Sequence, residues 1–106
     1  MDFGVGIASR PSDIDDVVAA ERLGFTHAWL ADSQMIWSDV YALLALAADR
    51  TSTINIGTGV AVAGTRIAPV TAAATGTINE LAPGRTCRGL GHGNTRPLTP
   101  HDAADE

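Results

Sequence analysis

Three short stretches of this 106-residue chain carry side chains or backbone suited to chemistry. Asp32-Ser33-Gln34-Met35-Ile36-Trp37-Ser38 combines a carboxylate, two hydroxyls, an amide and an indole, more hydrogen-bonding and proton-handling capacity than a plain connection needs. Gly57-Thr58-Gly59-Val60 and Gly91-His92-Gly93-Asn94 are glycine-rich, and backbone without Cβ atoms can come close to a ligand. Each stretch has a plainer reading beside the functional one. Asp and Ser favour turns because they bond to nearby backbone, and a G-x-G pattern alone also fits loops that bind nothing. His27 and His101 read as surface or half-buried residues rather than bases. His92 is treated as a bystander in its glycine turn until geometry places it. Cys87 falls in a strand-like run and reads as a small core residue. Trp29 and Trp37 fit either a pocket wall or a core.

Composition removes several classes of function. A hydrophobic fraction of 45% and a charged fraction of 18% fit one soluble globular domain. The net charge is -5 and all seven basic residues are arginine, so there is no basic stripe to neutralise phosphates and nucleic acid is not expected as a partner. The longest apolar stretch, Val40 to Ala48, is bounded by Asp39 and Asp49 and falls far short of the ~20 residues needed to cross a bilayer, so no membrane partner is expected. No basic and apolar leader precedes Phe3, which makes the cytoplasm the expected location. The single cysteine excludes an internal disulfide and fits a reducing compartment, and no ligand set has metal spacing.

The elements that must position these stretches alternate strand-like runs with helix-length amphipathic segments, the pattern of parallel strands joined by crossover helices. Phe3 to Ile7 is the first strand, expected to be buried on both faces. Ser12 is expected to cap a helix that runs to Leu23 and stops at Gly24. His27 to Ala31 is the second strand. Ser38 is expected to cap a helix from Asp39 to Arg50, with Val40, Leu43, Leu44 and Ala47 as its buried stripe. Ile54 to Thr58 is the third strand, followed by a loop from Gly59 to Ala68 and a helix with Pro69 at its first position. Val70, Ala73, Ala74, Thr77 and Leu81 line one side of that helix, and Arg85 to Gly91 supplies a fourth strand. Right-handed crossovers make such a run curl toward a barrel unless the order reverses, and nothing marks a reversal. The expected fold class is therefore α/β, a partial TIM (β/α)8 barrel with about the first four strands and three helices on a parallel sheet.

Four motifs in register then carry a family resemblance: Ala28-Trp29-Leu30-Ala31-Asp32, Tyr41-Ala42-Leu43-Leu44-Ala45-Leu46-Ala47, Ile56-Gly57-Thr58-Gly59-Val60 and Leu81-Ala82-Pro83-Gly84-Arg85. Together they resemble the luciferase-like monooxygenase family, and within it the deazaflavin-using branch similar to methylenetetrahydromethanopterin reductase. The match covers residues 1–95. The resemblance implies an oxidoreductase, working by hydride transfer or oxygen insertion on a small organic substrate, whose coenzyme F420 or FMN sits at the C-terminal ends of the strands.

It also implies a set of cofactor-binding residues. Asp32 and Ser33 match the polar position near the ring, although many members have histidine where Ser33 stands. Thr58, Gly59 and Val60 match a segment with a non-proline cis peptide that forms a bulge behind the ring. Gly91, Gly93 and Asn94 match a glycine-rich turn beside it. The family's phosphate-anchoring loops belong to later strands. From Thr86 the pattern changes character, and 96–106 reads as a disordered, divergent acidic tail such as a frameshifted or interrupted gene would leave. The expectation for the isolated chain is a weakly active or inactive fragment. A half-barrel that self-associates through open sheet edges, without catalysis, is the alternative.

Overall fold

The computed structural model describes residues 1–33 and 35–91. Four strands, β1 (Gly4–Ile7), β2 (His27–Leu30), β3 (Asn55–Val62) and β4 (Thr86–Gly91), form one sheet in the order β1-β2-β3-β4. Every neighbouring pair is parallel, and the register places Gly6, Trp29 and Gly57 side by side. Three helices connect them: α1 (Asp15–Arg22), α2 (Val40–Arg50) and α3 (Ala68–Leu81). A sequential parallel order with every crossover on one side is the arrangement of a barrel segment, since a doubly wound sheet would need the order to reverse.

The core lies between the helices and one face of the sheet. Ile14 and Val17, Leu30, Val40, Leu44 and Ala47, Ile56 and Ile78 all belong to one buried cluster, against which Val5 and Ile7 pack. Burying side chains of this size stabilises the fold by about 1.5–3 kcal/mol each. The opposite face of the sheet is open. Gly4 and Gly6 are exposed while Val5 and Ile7 on the other face are half-buried, so β1 is covered on one face only.

Several element ends differ from the sequence-based expectation. Ser12 does not cap α1: Pro11–Asp13 forms one turn of 3-10 helix, and Ile14 precedes α1 with no side-chain cap. Full burial of Ile14 and Val17 sets the course of the chain there. Asp39, not Ser38, caps α2, its Oδ2 accepting the Ala42 N–H at 2.9 Å. The Ser38 N–H instead donates to the Ser9 carbonyl at 2.9 Å. Pro69 occupies the second helical position, because α3 begins at Ala68.

Strand β3 continues past Thr58 to Val62, pairing Ala61 with Leu90 and Val62 with Gly91 after a register shift between Thr58 and Ala61. The buried residue of α3 is Ile78, with Ala74 packed beside it. Val70 and Leu81 are each 49% exposed, so the expected stripe through Val70, Ala73, Thr77 and Leu81 faces outward. The Gly24 stop holds, at a positive φ of 91° that residues with a side chain rarely adopt, whereas Gly84, at φ 73°, lies in the turn beyond α3, which already ends at Leu81. Among the described residues no helix is long and apolar enough to cross a membrane, and no cluster of metal-binding side chains occurs.

Candidate active-site rim

Parallel pairing brings the C-terminal ends of β2, β3 and β4 to one edge of the sheet, and the loops that follow β2 and β3 meet there. Asp32 sits just beyond β2 and is only 8% exposed. Its Oδ2 accepts the Val62 N–H at 2.8 Å and Arg66 Nη1 at 2.9 Å. Burying a carboxylate is costly unless it is paired and hydrogen-bonded, and both conditions are met here. The Arg66 guanidinium also donates from Nη2 to Asp39 Oδ1 at 2.8 Å and lies 4.7 Å from the centroid of the Tyr41 ring. Burial alone would raise the Asp39 carboxyl and lower the Arg66 guanidinium, but for Asp39 the Arg66 hydrogen bond and charge with the Ala42 N–H, and for Arg66 the hydrogen bonds and charges of Asp32 and then Asp39, outweigh it. Asp39 is therefore held below the usual carboxylate range and Arg66 above its own.

Asp32, Ser33, Met35, Trp37, Ser38, Asp39, Thr65 and Arg66 enclose a cleft of about 320 Å³ on this rim. Its floor is tied to β1 as well, since the fully buried Ser9 donates its hydroxyl to the Ala31 carbonyl. Met35, at φ 64° and 98% exposed, and exposed Ile36 form an apolar lip beside it. Trp37 is half-buried in the wall, with the Arg10 guanidinium 5.8 Å from its ring.

The expected site residues fall into two groups. Asp32 and Ser33 are buried and line the cleft. Gly59, Val60 and Gly91 do not line it; they lie on the open face of the sheet. There the Gly59–Val60 peptide is cis, and the Val60 side chain covers the space above Gly89 and Gly91, with its methyl carbons 3.2 Å from where Cβ atoms would stand. Trp29 lies over Gly59 and Gly4 in the same way, at 3.1 Å from each. Thr58 is turned from both groups: its hydroxyl donates to the Gly89 carbonyl at 2.9 Å, and its side chain lies with Tyr41, Leu44 and Ile78 between sheet and helices. Gly93, Asn94 and His92 lie outside the described residues. His27 stacks on Trp29 and bonds to Thr26, and Cys87 is half-buried in β4.

Sequence reasoning missed Arg66 and Asp39. Nothing in periodicity marks an arginine 34 positions from the carboxylate it meets, and Asp39 read only as the start of a helix.

Comparison with known proteins bears on the family and the fold. A family profile described as luciferase-like monooxygenase matches residues 9–104. The 5,10-methylenetetrahydromethanopterin reductase of Methanolobus tindarius is 42% identical over 98 residues, covering 88% of this chain and 29% of that protein. An F420-dependent glucose-6-phosphate dehydrogenase of Intrasporangium calvum is 35% identical over 88 residues, covering 76% of this chain and 26% of its own length. The coenzyme F420 dependent tetrahydromethanopterin reductase of Methanopyrus kandleri superposes with a TM-score of 0.80 at 31% identity, over 89% of this chain and 28% of that one. The chain thus spans less than a third of the length of these relatives, and its sheet is part of a TIM barrel. Through the profile match and the shared strand-helix arrangement, the chain belongs to the luciferase-like monooxygenase family.

Proposed function

We propose that the chain forms part of the active-site rim of a coenzyme F420-dependent oxidoreductase acting on a small organic substrate. The observation that carries this reading is the placement of buried, Arg66-paired Asp32 in the lining of a cleft on the C-terminal rim of the parallel sheet, the end where barrel active sites are built. Coenzyme F420 is preferred to FMN because both a curated relative and the solved neighbour are named for it. The open face has room for a flat ring at Gly6, where nothing stands within 4 Å of an added Cβ, beside Trp29 and Val60, which overlie Gly59 and Gly91. When bound, the deazaflavin carries the hydride, while the protein supplies orientation and exclusion of water. In this reading Asp32 and Ser33 contact the ring or substrate from the cleft, and Gly59, Val60 and Gly91 support the ring from behind. Thr58 contributes through its bond to β4, and Gly93 and Asn94 complete the set.

The test is a titration of the 106-residue chain with coenzyme F420, with FMN as comparator, followed by deazaflavin or flavin fluorescence. Weak binding selective for F420 and lost in Asp32→Ala is expected, with little turnover by these residues alone. Equal or absent response to both cofactors would sink the assignment.

A second reading is a non-catalytic chain that self-associates. It is favoured by the apolar side chains left exposed at the start and along the outer side of α3, Ile67, Val70 and Leu81, and by exposed Leu90 of β4, since exposed apolar surface marks association. Size-exclusion chromatography separates the two: a concentration-dependent dimer without cofactor affinity supports it.

A further inference from the structure

The loops that follow β2 and β3 are fastened together by one side chain. Arg66 Nη1 reaches Asp32 Oδ2 at 2.9 Å and Thr65 Oγ1 at 3.2 Å, Nη2 reaches Asp39 Oδ1 at 2.8 Å, and the guanidinium face covers Tyr41. A planar fork can meet two carboxylates on two edges while its face lies on an aromatic ring; a lysine ammonium on a flexible stem cannot do all three. The arginine side chain is 16% exposed and that of Asp32 only 5%, so the pair is shielded from the screening that weakens surface ion pairs. Arg66 also forms part of the wall of both the Asp32 cleft and a neighbouring cleft of about 330 Å³ beside α3.

We propose that Arg66 is the positioning residue of this rim: by bridging Asp32 and Asp39 across the Tyr41 ring, it fixes the Asp32 carboxylate in the cleft wall and registers the two loops against each other. Its functional meaning rests on the rim being the active site proposed above; its geometry does not. Arg66 acts through Asp32, whose Oδ2 also receives the Val62 N–H, so the Val62 amide reports where that carboxylate sits.

The test is amide hydrogen exchange by NMR on the full chain, in wild type, Arg66→Met, Arg66→Lys and Arg66→Ala. The control amide is Ile56, which donates to the Arg85 carbonyl at 2.8 Å in the same strand. Exchange at Val62 is expected to quicken about tenfold or more in Arg66→Met with Ile56 unchanged, because local opening is read separately from global unfolding. Arg66→Lys gives the same direction, and millimolar methylguanidinium, but not methylammonium, restores Val62 protection in Arg66→Ala. Should the methionine variant fail to fold, the lysine variant decides the matter by the same comparison. Val62 left as protected as in wild type, or Val62 and Ile56 moving together, overturns the proposal. A wild-type chain that ignores coenzyme F420 while its Val62 protection still depends on Arg66 overturns the cofactor assignment and leaves this inference standing.

Discussion

Glu21 Oε2, at the end of α1, accepts the Thr53 N–H at 2.7 Å, and the same oxygen takes the N–H groups of Ser52 and Ile54 at 2.9 and 3.0 Å. One carboxylate thus gathers three successive amides of the segment entering β3, at the end of the sheet opposite the cleft. Burial on its own would raise the carboxyl, but the N–H groups of Thr53, Ile54 and Ser52 and the Thr53 hydroxyl outweigh it and lower it to about 2.

The pH response follows from that depressed value. The ordinary glutamate value of the unfolded chain is about 4.3, so Glu21 contributes its full stabilisation above that pH. The contribution is lost as pH falls from there through about 2. Glu21→Gln should cost about 1.5–3 kcal/mol at neutral pH, toward the lower figure because Ser52 and Thr53 are exposed. The variant should also show a flatter decline across the acid range. Urea midpoints measured at a series of pH values check both, and parallel curves for variant and wild type would refute the assignment.

Asp32→Ala should destabilise the chain by about 3 kcal/mol, because it removes one carboxylate from a shielded guanidinium. It also leaves the Val62 N–H without its acceptor. Asp39→Ala should cost less, about 1 kcal/mol for the lost cap of α2, since Asp32 continues to pair Arg66. Denaturant unfolding of the two variants ranks them, and a larger loss for Asp39 would be contrary.

Tyr41 is 8% exposed, and its hydroxyl has no hydrogen-bond partner among the described residues. A buried unsatisfied hydroxyl costs about 1–3 kcal/mol. Tyr41→Phe retains the ring beneath Arg66 and removes that penalty, so it should be neutral or raise stability by up to about 1 kcal/mol. A clear drop in melting temperature would show that the hydroxyl is bonded in solution.

Two glycine-to-alanine changes should move in opposite directions. At Gly57 a Cβ would fall on the carbonyl oxygen of Cys87, so Gly57→Ala must push β3 from β4 and should leave little folded protein. At Gly76, inside α3, nothing stands within 4 Å of the added Cβ. Gly76→Ala should therefore stabilise the helix by about 0.5–1 kcal/mol. Circular dichroism melts of the two variants suffice, and equal effects would mean that the close approach of β3 and β4 is not real.

The succession of strands and helices was legible because it rests on local patterning: Val40, Leu43, Leu44 and Ala47 recur at helical spacing, and Gly24 stands where a left-handed residue ends α1. The barrel direction followed from the handedness of crossovers, and Asp32 and Ser33 stood out as chemistry at a strand end. The caps of α1 and α2 were misplaced because tertiary packing sets where each helix starts: burial of Ile14 and Val17 fixes the start of α1, and α2 starts at Val40, which leaves the Asp39 carboxylate to accept the Ala42 N–H. The buried face of α3 was misread for a related reason, since its apolar residues circle the helix and only contact with α2, β3 and β4 selects Ile78.

By itself, then, the sequence determined the alternating parallel β-α order and the end of the sheet on which reactive side chains collect, because both depend on periodicity and chirality within a few dozen residues. Tertiary structure alone decided that Arg66 would meet Asp32 and Asp39 over Tyr41, that β3 would extend to Val62, and that Trp29 and Val60 would each lie across glycines of neighbouring strands. Those relationships join residues up to 34 positions apart on neighbouring strands and the loops that follow them, and no local preference encodes a partner that only the pairing of the strands brings within reach.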